Sequence, residues 1–315
     1  MKAIVYEKYG NPNVLQVKDL EAPAIKSNEV LIKVLACSIN PIDWKIRKGF
    51  LPGRLLWGLF RPRMRTLGFD MAGIVESTGK DVSRFSSGDE VFCGTMGGSY
   101  AEYVAIPETA AITLKPTNMT FEEAAAVPLA AVTALQALRD KANIRTGHHV
   151  LVHGASGGVG TFGVQIAKAL GAEVTGVTST HNLELVASLG ATKVIDYTKE
   201  DFATNEQTYD IVFDAVGKSS FSHSKSSLTQ NGVYVTATPR ISDAAPIIWT
   251  SIGNRKKSKT LLTNANANDL VFIKELVETG QLRSIIDKRY EYNQIVQAHQ
   301  YAEKEHSKGK VVITF

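Results

Sequence analysis

A glycine-rich turn between a predicted strand and a predicted helix limits what this chain can fold into more than any other feature. Residues 154–160 read Gly-Ala-Ser-Gly-Gly-Val-Gly, where the apolar run His149–Ala155 meets a helical pattern of apolar residues over Gly157–Gly171. Glycines allow a tight turn and a close approach of backbone N–H groups, and the N-terminus of a helix attracts an anion. The turn predicts a phosphate-binding βαβ unit, with a purely structural turn as the alternative.

The spacing of these glycines matches a dinucleotide-binding fingerprint with one departure. Aligned by its last glycine, the motif is Ala155-x-Gly157-x-x-Gly160, so alanine stands where the first glycine of GxGxxG is usual. We expect the backbone of this turn to hold the pyrophosphate of a cofactor. The predicted contacts are Ser156, Gly157, Gly158, Val159 and Gly160.

Strand and helix signals alternate through the middle of the chain. After the first strand and helix, the predicted strands are Glu173–Thr178, Lys193–Tyr197, Tyr209–Val216 and Gly232–Thr238. A helix pattern over Asn182–Leu189 ends at Gly190. This alternation indicates right-handed βαβ units and an α/β fold with a doubly wound parallel sheet.

The first 115 or so residues have a different pattern, with short strands separated by Gly, Ser and Asp turns. Val30–Leu35 alternates with period two, and Gly73–Thr78 and Glu90–Cys93 are further short strands. The tail ends in another predicted strand, Lys310–Phe315. These features favour an antiparallel, barrel-like region. We therefore predict a discontinuous first domain of residues 1–116 and 281–315, interrupted by a second domain of residues 117–280.

The composition excludes several classes of protein. A hydrophobic content of 44% and a formal net charge of +4 exclude a disordered chain. With only Cys37 and Cys93, neither a disulfide scaffold nor a four-cysteine zinc lobe can form. We expect both cysteines to be small buried apolar residues. The basic residues are too dispersed to predict a nucleic-acid-binding face.

The sequence shows no targeting or membrane-spanning segment, and we expect a cytoplasmic protein. The N-terminal residues Met1–Glu7 contain no apolar core of a signal peptide. The segment Phe50–Arg65 combines apolar residues with arginines and contains no acidic residue. We interpret it as a loop or short helix beside a cleft and do not expect membrane association. A helix bound to a membrane surface is the alternative.

The end of the second predicted strand of the βαβ unit indicates which dinucleotide binds. An NAD site usually has Asp or Glu about 20 residues after the glycines, on the ribose 2′-OH. Here residues 176–182 read Gly-Val-Thr-Ser-Thr-His-Asn, and the first acid is Glu184. Hydroxyl, amide and imidazole groups can donate to a 2′-phosphate, which favours NADPH over NADH. The predicted contacts are Thr178, Ser179, Thr180, His181 and Asn182, with a helix N-cap and an exposed turn residue as the alternatives for Thr180 and His181.

Several further motifs carry a family resemblance over nearly the whole length. They are Asn40-Pro41-Ile42-Asp43-Trp44, the run from Gly68 to Val75, Gly79, Gly88-Asp89-Glu90-Val91, Val194-Ile195-Asp196-Tyr197, Phe213-Asp214-Ala215-Val216-Gly217 and Gly309-Lys310-Val311-Val312. With the glycine turn, they make the chain resemble the zinc-free medium-chain dehydrogenase/reductases of the quinone oxidoreductase, or zeta-crystallin-like, family. The resemblance implies a GroES-like β-barrel catalytic domain, a Rossmann domain, an NADPH cleft between them and a homodimer.

The resemblance also bears on zinc and on the reaction. Zinc alcohol dehydrogenases of this superfamily have a Cys ligand at the position of Asn40 and a His-Glu pair at the positions of Phe69 and Asp70. Phe69 cannot bind a metal and Asn40 is a poor ligand, so we expect no zinc. Without a Lewis acid, alcohol oxidation is disfavoured, whereas a quinone or an α,β-unsaturated carbonyl can still accept a hydride. We expect donors that stabilise the developing oxyanion.

The resemblance further implies site residues. The expected catalytic residues are Asn40, Asp43 and Thr133, for which a turn, a helix cap and a packed hydroxyl are the respective alternatives. We also expect strand-end residues Thr236, Ala237 and Thr238 to face the cofactor, because cofactors bind at the carboxyl ends of parallel strands. The remaining expected cofactor contacts are Pro41, Tyr197, Val216 and Lys310. Lys310 could instead be a solvated strand end, and Lys256, Lys257 and Lys259 are expected in a solvated loop.

Three functions are consistent with these features. The first is an NADPH-dependent reductase of quinones or α,β-unsaturated carbonyls that needs no metal. The second is a non-catalytic NADPH-binding protein, since some lens crystallins of this family are used structurally. The third is an enone reductase that works at a membrane surface through Phe50–Arg65.

Overall fold

The structure is a computed structural model that describes residues 1–240, 243–251 and 255–315. Two compact units divide the chain: Met1–Leu129, Ala265–Glu278 and Ser284–Phe315 form the first, and Ala130–Asn264 and Thr279–Arg283 form the second. The predicted division places residues 117–129 and 265–278 in the second domain and residues 281–283 in the first, and the structure has them the other way round. Residues 117–129 and 265–278 belong to the first unit because their helices pack against its strands.

The strands and helices of the described residues are numbered in chain order. The strands are β1 Lys2–Val5, β2 Gln16–Asp19, β3 Glu29–Ile39, β4 Asp70–Thr78, β5 Glu90–Gly94, β6 Tyr103–Pro107, β7 Ile112–Leu114, β8 His149–His153, β9 Glu173–Thr178, β10 Lys193–Asp196, β11 Tyr209–Asp214, β12 Leu228–Thr236, β13 Lys257–Thr260, β14 Ile286–Glu291 and β15 Lys310–Thr314. The helices are α1 Pro41–Lys48, α2 Leu51–Trp57, α3 Phe121–Ala125, α4 Pro128–Leu135, α5 Gly158–Ala169, α6 Leu183–Ser188, α7 Phe221–Ser224, α8 Ala244–Ser251, α9 Ala267–Glu278 and α10 Ile295–Ala302. None of these helices is long and apolar enough to cross a bilayer.

The first unit is built on a largely antiparallel sheet with the order β14-β15-β3-β4-β5-β7, and β6 also pairs with β3. Only β14 and β15 run parallel in this sheet. The registers that pair Ser38 with Asp70 and Ile39 with Val311 bring the end of β3 beside the starts of β4 and β15. Strand β3 alternates in sequence because one of its faces lies on the apolar core of the unit. This agrees with the predicted GroES-like barrel region.

The second unit contains a parallel sheet with the order β10-β9-β8-β11-β12-β13. This is the doubly wound order of a Rossmann domain, whose ligand crevice lies at the carboxyl ends of the strands where the order reverses. Here the reversal falls between β8 and β11. The glycine turn follows β8 directly, so it lies at the edge where a dinucleotide is expected.

Among the predicted strands that end earlier than their apolar runs suggested, β8 and β11 each do so for a local reason. Strand β8 stops at His153 because Gly154 takes a positive φ of 79° and turns the chain. Strand β11 stops at Asp214 because the side chain of Asp214 accepts the N–H groups of the residues that follow.

The expectation of a solvated loop at the lysine cluster is wrong for two of its members. Lys257 and Lys259 lie in β13, whose residues Lys257–Thr260 pair in parallel with Val233–Thr236 of β12. The Lys259 ammonium donates to the Lys141 carbonyl at 2.7 Å. Backbone pairing at the sheet edge overrides the weak strand propensity of this polar sequence.

Helix α1 is fixed at both of its ends by buried polar groups. At its start, the Asp43 carboxylate accepts the backbone N–H of Asn40 at 2.8 Å. At its end, the fully buried Arg47 donates to the Gly10 carbonyl at 2.6 Å and forms an ion pair with Glu303. A buried charge requires such partners, so the position of α1 in the first unit is tightly determined.

Candidate active site

Asp70, the first residue of β4, is a fully buried carboxylate on which polar groups of the first unit converge. Its Oδ2 accepts hydrogen bonds from the Ser38 hydroxyl and the Asn40 amide, each at 2.8 Å, and lies 3.4 Å from Lys310 Nζ. Its Oδ1 accepts the backbone N–H of Leu129 at 2.8 Å. Because a buried charge is tolerated only when it is paired and hydrogen-bonded, these contacts join four segments of the chain.

Lys310 supplies the positive charge of this cluster. It is only 4% exposed, and its ammonium donates to Asn40 Oδ1 as well as to Asp70. Burial lowers the pKa of Lys310, and the charges of Asp70 and Asp43 act in the opposite direction. The alternative of a solvated strand end is therefore wrong. A contact of Lys310 with the cofactor stays a prediction.

Asn40 is held within the cluster by both ends of its side-chain amide. Oδ1 accepts from Lys310, and Nδ2 donates to Asp70. An amide nitrogen carries two hydrogens, so one donor of Asn40 is left for a ligand. Pro41 follows as the exposed first residue of α1, where a missing N–H costs nothing.

Asp43 is a second buried carboxyl close to the first. Its two oxygens accept the backbone N–H groups of Asn40 and Gly68, each at 2.8 Å, so it caps α1 and fixes the chain before β4. Burial raises the pKa of Asp43 to about 7, because the two N–H donors and Lys310 offset only part of the desolvation and Asp70 adds to it. The helix-cap alternative is confirmed, and a catalytic role is a separate prediction.

In the second unit, the glycine turn is sterically required at Gly160. A Cβ at Gly160 would lie 2.0 Å from the Gly154 carbonyl oxygen, so only glycine lets α5 pack this closely on the turn. Gly157 differs, because its Cβ would lie 3.4 Å from the same oxygen and 3.7 Å from Val216 Cγ1, and both distances are ordinary van der Waals contacts. Gly158 and Val159 begin α5 and are half-buried. The N–H groups of this first helical turn form a cradle that fits a pyrophosphate.

The end of β9 brings four predicted residues together beside that turn. The Thr178 hydroxyl donates to Ser156 Oγ at 2.7 Å, and Asn182 Nδ2 donates to Ser156 Oγ and Ser179 Oγ at 3.1 and 3.2 Å. Asn182 Oδ1 is buried and accepts no hydrogen bond from the described residues. Since buried polar atoms are normally satisfied, this oxygen fits a ribose hydroxyl. The cluster is therefore suited to the ribose end of a dinucleotide.

Thr180 has a role that the sequence did not indicate. Its hydroxyl donates to Asp196 Oδ2 at 2.5 Å, and this hydrogen bond is the main cause that lowers the pKa of Asp196 to about 2. The N-cap alternative is wrong, because Ser179 precedes the short helical turn that Thr180 begins. His181 is exposed, which agrees with the alternative of an exposed turn residue. Tyr197, the residue after Asp196, is 57% exposed.

The loop after β11 is organised by Asp214, whose carboxylate is fully buried. It accepts the N–H groups of Gly217 and Ser219 at 2.9 and 3.0 Å and the Tyr234 hydroxyl at 3.0 Å. The loop carries Val216 against the glycine turn, where a Cβ on Gly154 would meet the Val216 side chain at 2.5 Å.

The end of β12 lies next to the same loop. Thr236 is the last residue of β12, and Ala237 N–H donates to the Asp214 carbonyl at 3.1 Å. The Thr238 hydroxyl is buried, close to Gly217, and has no hydrogen-bond partner among the described residues. The structure therefore brings the predicted residues of β11 and β12 to the carboxyl edge of the sheet.

Thr133 lies in α4. It is buried, and its hydroxyl is 2.8 Å from the Thr263 hydroxyl. This arrangement agrees with the alternative of a packed helix hydroxyl. A catalytic role for Thr133 stays a prediction.

Sequence reasoning missed Asp70, Asp196 and Asp214 as site residues. Each is an acid at one end of an apolar strand, in the runs Phe-Asp-Met-Ala, Val-Ile-Asp and Val-Phe-Asp. An acid in such a place must find partners when the strand is buried. An acidic residue at the end of an apolar strand was therefore the sequence signal that could have identified these three residues.

The two cysteines are fully buried free thiols, as predicted. Burial raises the pKa of Cys37, and the charges of Asp43 and Asp70 raise it further. Both cysteines are therefore thiols at neutral pH. Within residues 1–240, 243–251 and 255–315, no group of three or more His, Cys, Asp and Glu side chains could hold a metal ion.

Two single-methyl substitutions in the glycine turn should separate stability from binding. Gly160→Ala forces a methyl group against backbone and should lower the free energy of unfolding by about 1–3 kcal/mol. Gly157→Ala should change that free energy much less, but should weaken NADPH binding because the methyl group fills the phosphate cradle. Urea denaturation and a fluorescence titration with NADPH measure the two effects. Equal destabilisation by both substitutions would contradict this account of the turn.

The raised pKa of Asp43 should make stability depend on pH. The unfolded chain loses this proton near pH 4 and the folded chain near pH 7, so the contribution of Asp43 to stability is present below pH 4 and is lost as the pH rises to 7. We expect the free energy of unfolding of the wild type, relative to Asp43→Asn, to fall by roughly 1–4 kcal/mol between pH 4 and 7. Urea denaturation across this range measures the difference. Parallel pH curves for the two proteins would refute the assignment.

Comparisons with known proteins agree with the fold. Residues 26–116 match the family described as the alcohol dehydrogenase GroES-like domain, and residues 189–313 match the family described as zinc-binding dehydrogenase.

Individual relatives match over almost the whole chain. The 2-methylene-furan-3-one reductase of Solanum lycopersicum is 34% identical over 99% of this chain and 79% of its own length. The chloroplastic NADPH-dependent alkenal/one oxidoreductase of Arabidopsis thaliana is 33% identical with the same coverage. The solved structure of the quinone oxidoreductase from Coxiella burnetii superposes with a TM-score of 0.88 at 34% identity, covering 100% of this chain and 99% of that one. The chain therefore belongs to the quinone oxidoreductase family of the medium-chain dehydrogenase/reductases.

Proposed function

We propose that the protein is an NADPH-dependent oxidoreductase that transfers a hydride to a quinone or an α,β-unsaturated carbonyl compound without a metal. One observation carries the proposal: in the buried Asn40–Asp70–Lys310 cluster, an amide stands at the position of the cysteine ligand of zinc relatives, and the Lys310 ammonium donates to that amide and to Asp70. The names of the two plant relatives support the substrate class, because they describe reductases of a methylene-furanone and of alkenals or alkenones. The name of the second relative also supports NADPH.

The residues of the second unit fit NADPH. The N–H groups at the start of α5 would hold the pyrophosphate, and Ser156, Ser179 and Asn182 would hold the ribose and its 2′-phosphate. Thr178 holds Ser156 in position, because its hydroxyl donates a hydrogen bond to Ser156 Oγ. The acid that pairs with Thr178 across the sheet, Asp196, is already engaged by Thr180 and by the N–H and hydroxyl of Thr198. It therefore competes little with a 2′-phosphate for these donors. When bound, NADPH supplies the hydride.

The residues of the first unit suit an acceptor that becomes negatively charged on oxygen. The free Nδ2 hydrogen of Asn40 and the ammonium of Lys310 are donors fixed in a buried place, where electrostatic stabilisation of an oxyanion is strong. Asp70 holds both donors in position. Asp43 fixes the start of α1 and hence the backbone of Asn40.

The absence of zinc from the mechanism rests on residue chemistry. Three deprotonated or neutral N, S or O ligands are needed for a catalytic zinc. Phe69 offers none, and the Asn40 oxygen accepts from Lys310, whose positive charge opposes a metal at that place. The zinc-binding dehydrogenase match covers residues 189–313 and so does not include either position.

An acceptor panel tests the proposed function. Quinones, alkenals and methylene-furanones are each mixed with the protein and NADPH or NADH after dialysis against a chelator, and absorbance at 340 nm is followed. We expect turnover with at least one class, with NADPH preferred and no change when zinc is returned. NADPH binding without turnover of any acceptor would favour a non-catalytic NADPH-binding protein. Activity that requires zinc would overturn the metal-free mechanism.

We further propose a cytoplasmic homodimer. Strand β13 is the last strand of its sheet, and exposed Ile248, Trp249 and Leu262 lie in the same unit, so a second copy could extend the sheet and cover them. The free thiols Cys37 and Cys93 suit a reducing compartment. A monomer in analytical ultracentrifugation at micromolar concentration would refute the dimer, and recovery of the protein in an organelle fraction would refute the location.

A further inference from the structure

One stretch of the first unit concentrates positive charge. Residues 44–69 contain seven Lys and Arg residues and no Asp or Glu, although the whole chain has a net charge of only +4. Arg47 and Lys48 are paired with Glu303. Arg61, Arg63 and Arg65 are exposed. They form one basic rim on a short length of chain.

Glu7 is an acidic residue that lies near this rim. The charges of Arg61 and Arg65 help to lower the pKa of Glu7. Glu7 is itself ion-paired with Lys18 at 2.7 Å, so it neutralises the rim only in part. The rim therefore keeps a net positive charge.

Large apolar side chains are exposed beside these arginines. Phe60 is 87% exposed, Leu55 is 77% exposed and Leu59 is 52% exposed. Met96 is 80% exposed and belongs to the same region, because its neighbour Gly97 touches Met64. Single exposed apolar residues are ordinary, but a contiguous group of them indicates an interaction surface. We call these apolar residues, with Arg61, Arg63 and Arg65, the basic-apolar surface.

This surface is presented by a fixed loop. Gly58 N–H donates to the Arg54 carbonyl at 2.9 Å and Arg63 N–H to the Trp57 carbonyl at 2.7 Å, which closes the chain around Leu59 and Phe60. The Tyr9 hydroxyl donates to the Gly58 carbonyl at 2.5 Å. Arg54 Nε donates to the Gly49 carbonyl at 2.9 Å, and its guanidinium lies 4.8 Å from the centre of the Tyr9 ring. The loop is thus tied to the rest of the unit while Phe60 projects from it.

We propose that the basic-apolar surface docks the protein on an anionic membrane. Phe60, Leu55 and Leu59 would enter the boundary between headgroups and acyl chains, and the three arginines would lie against lipid phosphates. An acidic protein partner would match the charge of this surface, but it would need a pocket shaped to receive the projecting Phe60 side chain. A fluid bilayer needs no such pocket, because its lipids rearrange around an inserted side chain. The proposal is independent of the hydride acceptor.

Vesicle flotation tests the proposal with the full-length protein. Vesicles of phosphatidylcholine alone are compared with vesicles that contain phosphatidylserine as well. We expect the protein to float with the anionic vesicles only and to be released by high salt, because surface charges are screened. Sedimentation of the wild type with no flotation on anionic vesicles would overturn the proposal, as would equal flotation on both compositions.

Variants with matched controls assign the binding to this surface. The triple variant R61S/R63S/R65S should bind anionic vesicles at least tenfold more weakly, whereas K80S/K193S/K304S removes the same charge elsewhere and should bind within about twofold of the wild type. Phe60→Ser should weaken binding several-fold, and Leu20→Ser, also on an exposed apolar residue, should not.

Further measurements distinguish a loss of membrane binding from a loss of folding and from a change in self-association. Circular dichroism and NADPH titration establish that each variant is folded, so a loss of flotation is not a loss of structure. If the arginine triple variant and its lysine control float alike, the surface does not bind membranes. If Phe60→Ser alters the sedimentation coefficient and leaves flotation unchanged, the surface contacts a second copy of the chain and the proposal fails.

Discussion

The buried carboxylate of Asp70 is the interaction on which the first unit depends most. Burying an unpaired charge lowers the free energy of unfolding by an amount on the order of several kcal/mol, because the ion loses its hydration. Asp70 is therefore tolerated only because each chain segment that contacts it supplies a hydrogen-bond donor. Ser38 brings a hydroxyl, Asn40 an amide, Lys310 an ammonium and Leu129 a backbone N–H. Lys310 is 240 residues away along the sequence, so this contact also fixes the C-terminal strand β15 beside β3.

The two buried carboxyls of this unit are held in different ways, and the difference matters for the chemistry. Asp70 is next to an ammonium, whereas Asp43 is held mainly by two backbone N–H groups, and burial raises its pKa to about 7. With that pKa, Asp43 can exchange a proton near neutral pH, whereas the oxygens of Asp70 are occupied as hydrogen-bond acceptors. In the proposed reaction, Asp70 orients Asn40 and Lys310 as donors to the oxyanion.

Much of the second unit could be predicted because its information is local. The glycines at 154, 157 and 160 and the absence of an acid after β9 can be read from consecutive residues, and the alternation of strands and helices fixes a parallel sheet. The Asp70 cluster could not be found in this way, since Asp70 and Lys310 meet only through strand pairing. Strand β13 was missed for a related reason, because a Lys-Ser-Lys-Thr run has no strand signal of its own. The pairing of Thr180 with Asp196 depends likewise on two neighbouring strands that end at the same edge.

Isotope transfer is the most direct test of metal-free hydride transfer from NADPH to an electron-poor acceptor. The chelator-treated protein is incubated with NADPH deuterated at C4, in separate runs with each epimer, and with an enone, and the product is analysed by NMR and mass spectrometry. We expect one deuterium on the β-carbon from one epimer only, with the α-hydrogen taken from solvent. A product without deuterium, or deuterium transfer that appears only after zinc is added, would contradict it.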